Sequence, residues 1–270
     1  MKIFKILLLL LIIASLSWSP SQAKKDWSGP RFGLPEHAEG KSIVYLGEAT
    51  DPGTMEVVEG YAIIKRVDGH GKPDGVGGGK NKPKASACYE YMAKGAKWKT
   101  LEPWVVNPSN IDGLVDSKVF DVMDEGVNKW EDAAEKEILG AGSLTNLPLE
   151  ADLVSPDDEN EVYFASIDDP GVIGVTVVWG IFGGRPSGRK LVEWDQIYDD
   201  VDFDWGVDGD PNDMDFDSIA THELGHTVGL VDLYINECIE ETMYGYASEG
   251  EINKRDLGPG DVDGVWSLYK

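Results

Sequence analysis

Thr221-His222-Glu223-Leu224-Gly225-His226-Thr227-Val228-Gly229-Leu230-Val231-Asp232 holds two of the chain's four histidines four residues apart. On a helix that spacing puts both imidazoles on one face, one turn apart. Both can then reach a single zinc ion at ~2.0–2.1 Å. Glu223 follows the first histidine directly, where a carboxylate can lie beside the metal without binding it and act as base toward water. Gly229 is the residue type that readily takes the left-handed conformation ending a helix. The turn it permits brings Asp232 toward the same metal as an anionic third ligand. Three protein ligands and an open fourth position predict a catalytic rather than a structural metal site.

Working outward, the helix bearing this stretch starts near Asp217 or Ser218 and runs to about Gly229. Before it, Glu161–Ile167, Val172–Trp179 and Leu191–Tyr198 are β-branched or aromatic runs bounded by Gly, Pro or Asp, and they read as strands. Trp104–Asn107 is a fourth, ended by Pro108. Val119, Met123, Val127, Trp130, Ala134 and Ile138 step by threes and fours, predicting a long packing helix from Asp116 to Leu139 that stops at Gly140. A short amphipathic helix follows Gly258-Pro259-Gly260 and closes the chain. Strands and helices in this order predict an α+β domain.

Residues 24–85 are different in character. Their apolar content is one patch, Ser42–Leu46, and one strand-like run, Tyr61–Ile64. A tract rich in Gly, Pro and Lys follows from Asp68 to Lys84, with the composition of an exposed linker open to proteolysis. The expected organisation is therefore a leader over 1–23, a prosegment or accessory region over 24–85, and a globular domain over 86–270. The leader expectation rests on Lys2 and Lys5, the apolar run Ile6–Ile13, Pro20, and the small residues Ser21 and Ala23 before the cut. That run is too short to span a bilayer comfortably. The predicted localisation is secreted, extracellular.

With 41% hydrophobic residues and nine tryptophans the chain can bury a core, which argues against global disorder. Its formal charge is −25, and −27 once Lys2 and Lys5 leave with the leader. Such a surface repels nucleic acid and anionic lipid, so neither is an expected partner. The cysteines, Cys88 and Cys238, are expected to pair in an exported protein.

The motif His222-Glu223-x-x-His226-x-x-Gly229-x-x-Asp232 resembles the metzincin zinc signature, in the variant with aspartate as third ligand. Glu241-Thr242-Met243-Tyr244-Gly245-Tyr246 is similar to the Met-turn, whose methionine, Met243 here, lies under the metal. The Met243-Tyr244 order and the segment Leu257–Tyr269 resemble the matrixin branch, in its secreted prokaryotic type. The resemblance covers roughly residues 100–270 and is specific at 215–269. It implies a mixed twisted sheet with an antiparallel edge strand, a long packing helix, an active-site helix and a C-terminal helix. Substrate would pair with the edge strand, the slot occupied here by Val172, Ile173, Gly174, Val175 and Thr176.

Two features depart from the family pattern. Where some metzincins carry a zinc-reaching tyrosine two residues after the methionine, this chain has Gly245. Asp232 in place of histidine removes one positive charge from the site. The resemblance also leaves a second reading of Cys88, as a prosegment thiol that holds the enzyme latent, although Ala85–Glu90 lacks the flanking residues of that motif. The aspartates at 199, 200, 202, 204, 208, 210, 213, 215 and 217 make calcium a candidate second cofactor beside zinc. The expected function is a monomeric zinc endopeptidase, made as a zymogen and acting on protein or peptide substrates. The rival readings are a catalytically silent zinc-binding or adhesion module on the same scaffold, and a metal-dependent hydrolase of a non-peptide substrate.

Overall fold

A computed structural model describes residues 27–67 and 88–270. The expected leader and the whole Gly/Pro/Lys-rich tract lie outside the described residues. The chain order is β1 (Arg31–Phe32), β2 (Ile43–Thr50), β3 (Val57–Val67), β4 (Trp104–Asn107), α1 (Asp116–Ala134), β5 (Gly142–Leu144), β6 (Glu161–Ile167), β7 (Val172–Ile181), β8 (Lys190–Asp199), β9 (Trp205–Gly206), β10 (Met214–Asp215), α2 (Phe216–Thr227), β11 (Tyr246–Ala247) and α3 (Pro259–Tyr269).

One mixed sheet runs β11-β3-β7-β8-β6-β4-β5, with β1 added to β6 and β2 to β3. The α+β class and the three helices agree with the reading of the sequence. β4, β6 and β8 are parallel neighbours, whereas β7 runs antiparallel to both β8 and β3. Period-two alternation sends Thr176 and Val178 of β7 to the helical face, and Val175, Val177 and Trp179 to the other. On the helical face α1 packs beside α2 and buries Val119, Met123, Val127 and Trp130 in the shared core. The opposite face is covered by Phe32, Ala38 and the Leu149–Leu153 segment.

Two expectations are corrected here. Val172–Thr176 was expected to form an edge strand, but β3 pairs along it from Arg66↔Val172 to Ile63↔Thr176 and on to Glu59↔Gly180. The cause is the apolar alternation of β3 itself. Ile63 joins the helical-face core while Val58, Ala62 and Ile64 fill the other, so β3 is buried on both faces. Residues 31–67 thus supply three strands to the same sheet as the rest of the chain. The second correction concerns α1, which ends at Ala134 rather than Leu139. Glu135 turns left-handed at φ 53°. The Glu131 carboxylate then accepts from Ile138 N and Leu139 N at 2.8 and 2.9 Å. Ile138 is still buried, delivered by this loop instead of by the helix.

Candidate metal centre

The α2 helix is fixed at both ends. Asp215 caps it, accepting from Ser218 N at 2.9 Å, and is itself paired with Arg255. Midway, Trp130 of α1 donates its indole N–H to Thr221 O at 2.8 Å, next to His222. At the far end Gly229 sits at φ 103°, and a Cβ there would lie 3.0 Å from Ala96 O, so conformation and space both call for glycine. The turn carries Asp232 back over the helix.

His222 and His226 stand with ring centroids 4.9 Å apart. The Nδ1 of His222 meets Thr242 O at 2.6 Å and the Nδ1 of His226 meets Leu230 O at 3.0 Å. Donation to those carbonyls fixes the tautomer and leaves both Nε2 atoms with lone pairs that could bind a metal. Asp232 Oδ1 lies 3.0 Å from His222 Nε2 and 3.5 Å from His226 Nε2. None of the three atoms has a hydrogen-bond partner, and all are buried. Donors of a tetrahedral site with ligand bonds of ~2.0–2.2 Å stand ~3.3 Å apart, so two imidazoles and a carboxylate at these separations fit a zinc ion.

The charges follow the geometry. Burial acts upward on Asp232, yet the two imidazoles hold its carboxyl well below the usual range. Burial and the neighbouring Lys65 ammonium pull His222 down to about 3. Burial also acts downward on His226, but Asp232 and Glu223 outweigh it and raise this imidazole. The two histidines differ because Lys65 lies against His222 and Glu223 against His226. Burial raises the Glu223 carboxyl. Its Oε2 accepts from the Thr176 hydroxyl at 2.5 Å, while Oε1 is buried and without a partner.

Met243 lies under the helix, where a Cβ on Gly225 would fall 2.1 Å from the Met243 sulfur. The turn is held by backbone bonds from Leu233 N to Met243 O and from Gly245 N to Leu233 O, both 2.8 Å. It is also held from α3. Asp261 accepts from Thr242 N at 2.6 Å and from Met243 N at 3.2 Å, and Glu241 accepts from Gly260 N at 2.9 Å. Cys88 and Cys238 form a disulfide, which leaves no thiol at Cys88 to hold the site latent.

Four residues at this centre were not singled out for these roles from sequence. Thr176, expected from sequence on the substrate strand, also donates its hydroxyl to Glu223. Tyr234 donates its hydroxyl to Asp232 Oδ2 at 2.9 Å, leaving Oδ1 turned to the histidines. The missing side chain at Gly245 makes room for this ring, since a Cβ there would fall 2.3 Å from it. Asp261 anchors the Met-turn. Lys65 of β3 is buried with Nζ 3.1 Å from His222 Nδ1 and 2.7 Å from Tyr244 O, and burial brings its ammonium down to about 7. The motif Asp232-x-Tyr234 was open to reading; the other three depend on contacts distant in sequence.

Of the acidic segment, Asp215 pairs with Arg255, Asp217 with Lys129, and Asp199 accepts from Val201 N and Asp202 N. Among the described residues, the gatherings of three candidate ligands are His222–His226–Asp232 and Asp152–Asp157–Glu193, and neither draws on residues 199–217.

The matrixin family model matches residues 186–270, a span running from the start of β8 through α2, the Met-turn and α3. No curated protein matches the chain. Two histidines and an aspartate converging beside a glutamate, over a methionine turn, fall within the matched span, and residues 186–270 are similar to a matrixin zinc-metallopeptidase domain.

Proposed function

We propose that this protein is a secreted zinc-dependent endopeptidase in which His222, His226 and Asp232 hold the metal and Glu223 is the general base. The observation that carries this reading is the convergence of three partnerless, buried donor atoms beside the unpartnered Oε1 of Glu223. Bound zinc would supply Lewis acidity toward a scissile carbonyl and toward water. The chain's own groups do the rest. Thr242 O and Leu230 O hold the imidazoles in the ligating tautomer. Thr176 fixes one oxygen of Glu223, and the other accepts a proton from the attacking water and returns it to the leaving amine. Burial raises the basicity of that carboxylate, which suits it to the transfer.

Secretion is supported by the leader-like residues 1–23 and by a disulfide, which persists in oxidising compartments. Among the described residues no helix is long and apolar enough to cross a membrane. Calcium in the acidic segment is supported by carboxylate density alone.

The test is casein hydrolysis by the purified chain, before and after limited proteolysis, with chelator and zinc-restored controls. Hydrolysis abolished by chelator and recovered with about one zinc per chain is the expected result. Bound zinc without hydrolysis in any form would favour the silent module, and hydrolysis of esters but not of casein the non-peptide hydrolase.

The Tyr234 contact gives a separate expectation. Removing an outer-shell partner of a metal ligand typically costs ~10–100-fold in affinity. Tyr234→Phe should weaken zinc binding within that range while leaving the thermal midpoint of the metal-free protein nearly unchanged. Competition against a chromophoric chelator reads the affinity; equal affinities would show that Asp232 needs no such support.

A further inference from the structure

Positive charge is scarce in this chain and unevenly paired. With 49 acidic residues against 24 lysines and arginines, a surface ammonium has carboxylates in excess to meet. Lys129 pairs with Asp217, Lys190 with Glu56 and Lys254 with Glu251. Lys97, Lys99 and Lys136 do not, since among the described residues none of them forms an ion pair. Yet the three are neighbours. Lys97 and Lys136 hold their ammoniums 5.7 and 5.8 Å from the centre of the Tyr269 ring. Burial lowers the Lys97 ammonium, and Lys99 and Lys136 lower it further.

These lysines stand at a cavity of about 440 Å³, formed where residues 98–101, the loop after α1 and the end of α3 meet. Ligand sites commonly have ~300–1,000 Å³. The cavity is lined by the buried Trp98, Ile138 and Tyr269 and by Leu101, which is 51% exposed. Its walls are tied into the fold. The Trp98 indole donates to Thr227 O at 2.8 Å, and the Tyr269 hydroxyl accepts from Trp98 N at 3.3 Å and donates to Val228 O at 3.1 Å. Lys97 is fixed by donation to Leu268 O at 2.7 Å. A ligand would therefore not have to order these groups. Lys99 and Lys136 are exposed, and against the three ammoniums the cavity lining sets one carboxylate, Glu137.

We infer that this cavity is a docking site for an acidic peptide segment of another protein, whose carboxylates meet Lys99 and Lys136 while its apolar side chains cover Leu101. The inference does not rest on the peptidase reading. Charge complementarity selects the occupant. Nucleic acid and anionic lipid are extended arrays of negative charge, and beyond these lysines they would meet the surface of a chain whose formal charge is −25. A peptide brings a few carboxylates on a partly apolar chain, which suits a small cavity with apolar walls and a positive rim. At physiological salt, exposed charges more than ~8 Å away are largely screened, so the acidic remainder of the surface weakens this attraction without cancelling it.

The test is fluorescence anisotropy of a labelled short peptide of glutamates and leucines, titrated with the full chain. A twin peptide carries glutamine at every glutamate. The Glu223→Gln form of the full chain is used throughout, so that cleavage does not intrude. Losing an exposed ion pair weakens binding by up to a few-fold, and reversing the charge adds repulsion. Lys99→Glu with Lys136→Glu should therefore weaken binding of the acidic peptide by about tenfold or more. The expected result is saturable binding of the acidic peptide that falls with added salt, with the double variant and the glutamine twin both weaker by that factor. Thermal midpoint and zinc content should match the parent, because both lysines are exposed and remote in sequence from the metal ligands.

No binding by the parent, or equal binding by the double variant, overturns the proposal, the second because the peptide would then sit elsewhere. Equal affinity for the glutamine twin overturns it as well. Displacement by inorganic phosphate at the concentration of the peptide overturns it in favour of a small-anion site. A concentration-dependent dimer in sedimentation, abolished by the same double variant, overturns it in favour of a second copy of this chain. Should charge reversal impair folding, Lys99→Gln with Lys136→Gln removes both charges without repulsion, and a loss of several-fold is required of it. None of these readouts uses hydrolysis, so failure of the docking site and failure of the peptidase reading are told apart.

Discussion

Glu223→Gln should lower peptide hydrolysis by ~10²–10⁴-fold, the range for removing a positioned acid–base group, while the protein keeps its zinc. That corresponds to ~3–5 kcal/mol of transition-state stabilisation. The amide has the shape of the carboxylate, and its oxygen can still accept from the Thr176 hydroxyl that meets Oε2 at 2.5 Å. The ligand atoms of His222, His226 and Asp232 are untouched, so the metal site persists. What disappears is an acceptor for the water proton at Oε1, the one oxygen of Glu223 that nothing in the protein satisfies. The comparison must use the most active form available, before or after limited proteolysis. Metal analysis beside the rate separates the two explanations for a dead enzyme. A mutant that loses zinc together with activity would show Glu223 to be part of the ligand set, and a mutant of full activity would remove it from the mechanism.

The parts of this centre that were legible from sequence are those set by local repeats. The four-residue spacing of His222 and His226, the adjacent Glu223 and the turn at Gly229 are all specified within α2 and its C-terminus. The stripe Val119–Ala134 is likewise a property of one helix. Its end was misplaced because Ile138 continues the helical period while being buried by a loop, and periodicity cannot distinguish the two. What stayed hidden depends on pairing across the chain. Thr176 reaches Glu223 over a separation of 47 residues, and Lys65 reaches His222 over 157. A strand's alternation tells which side chains share a face. It does not tell which strand lies beside it, and so β7 read equally well as an edge or as an interior strand. Asp261 was hidden for a similar reason. Its carboxylate caps α3 by accepting from Gly258 N at 2.9 Å, an ordinary helix-start role, and the same atoms hold the Met-turn.

Replacing both Cys88 and Cys238 by serine should reduce unfolding free energy by ~2–5 kcal/mol. The cysteines are 150 residues apart in sequence, and the chain-entropy model places so long a loop near the upper end of that range, at ~5 kcal/mol. The thermal midpoint would then fall by on the order of 10 °C. The consequence for the metal centre differs from the consequence for stability. Cys88 begins a strap in which Met92 N donates to Gly229 O at 3.0 Å and Glu90 O accepts from Val231 N at 3.1 Å. Tyr91 adds a hydrogen bond to Gly264 O at 3.0 Å. These bonds sit directly on the turn that presents Asp232, and none of them needs the disulfide once the chain is folded. The disulfide acts mainly by restricting the unfolded chain, whereas the strap acts in the folded one. Zinc affinity at 25 °C should therefore stay within a few-fold of wild type even as the midpoint drops. A midpoint that does not move would mean that the unfolded chain is already restricted near these positions. A large loss of zinc affinity at full folding would mean instead that the disulfide, through Cys238 between Asp232 and Met243, sets the ligand geometry itself.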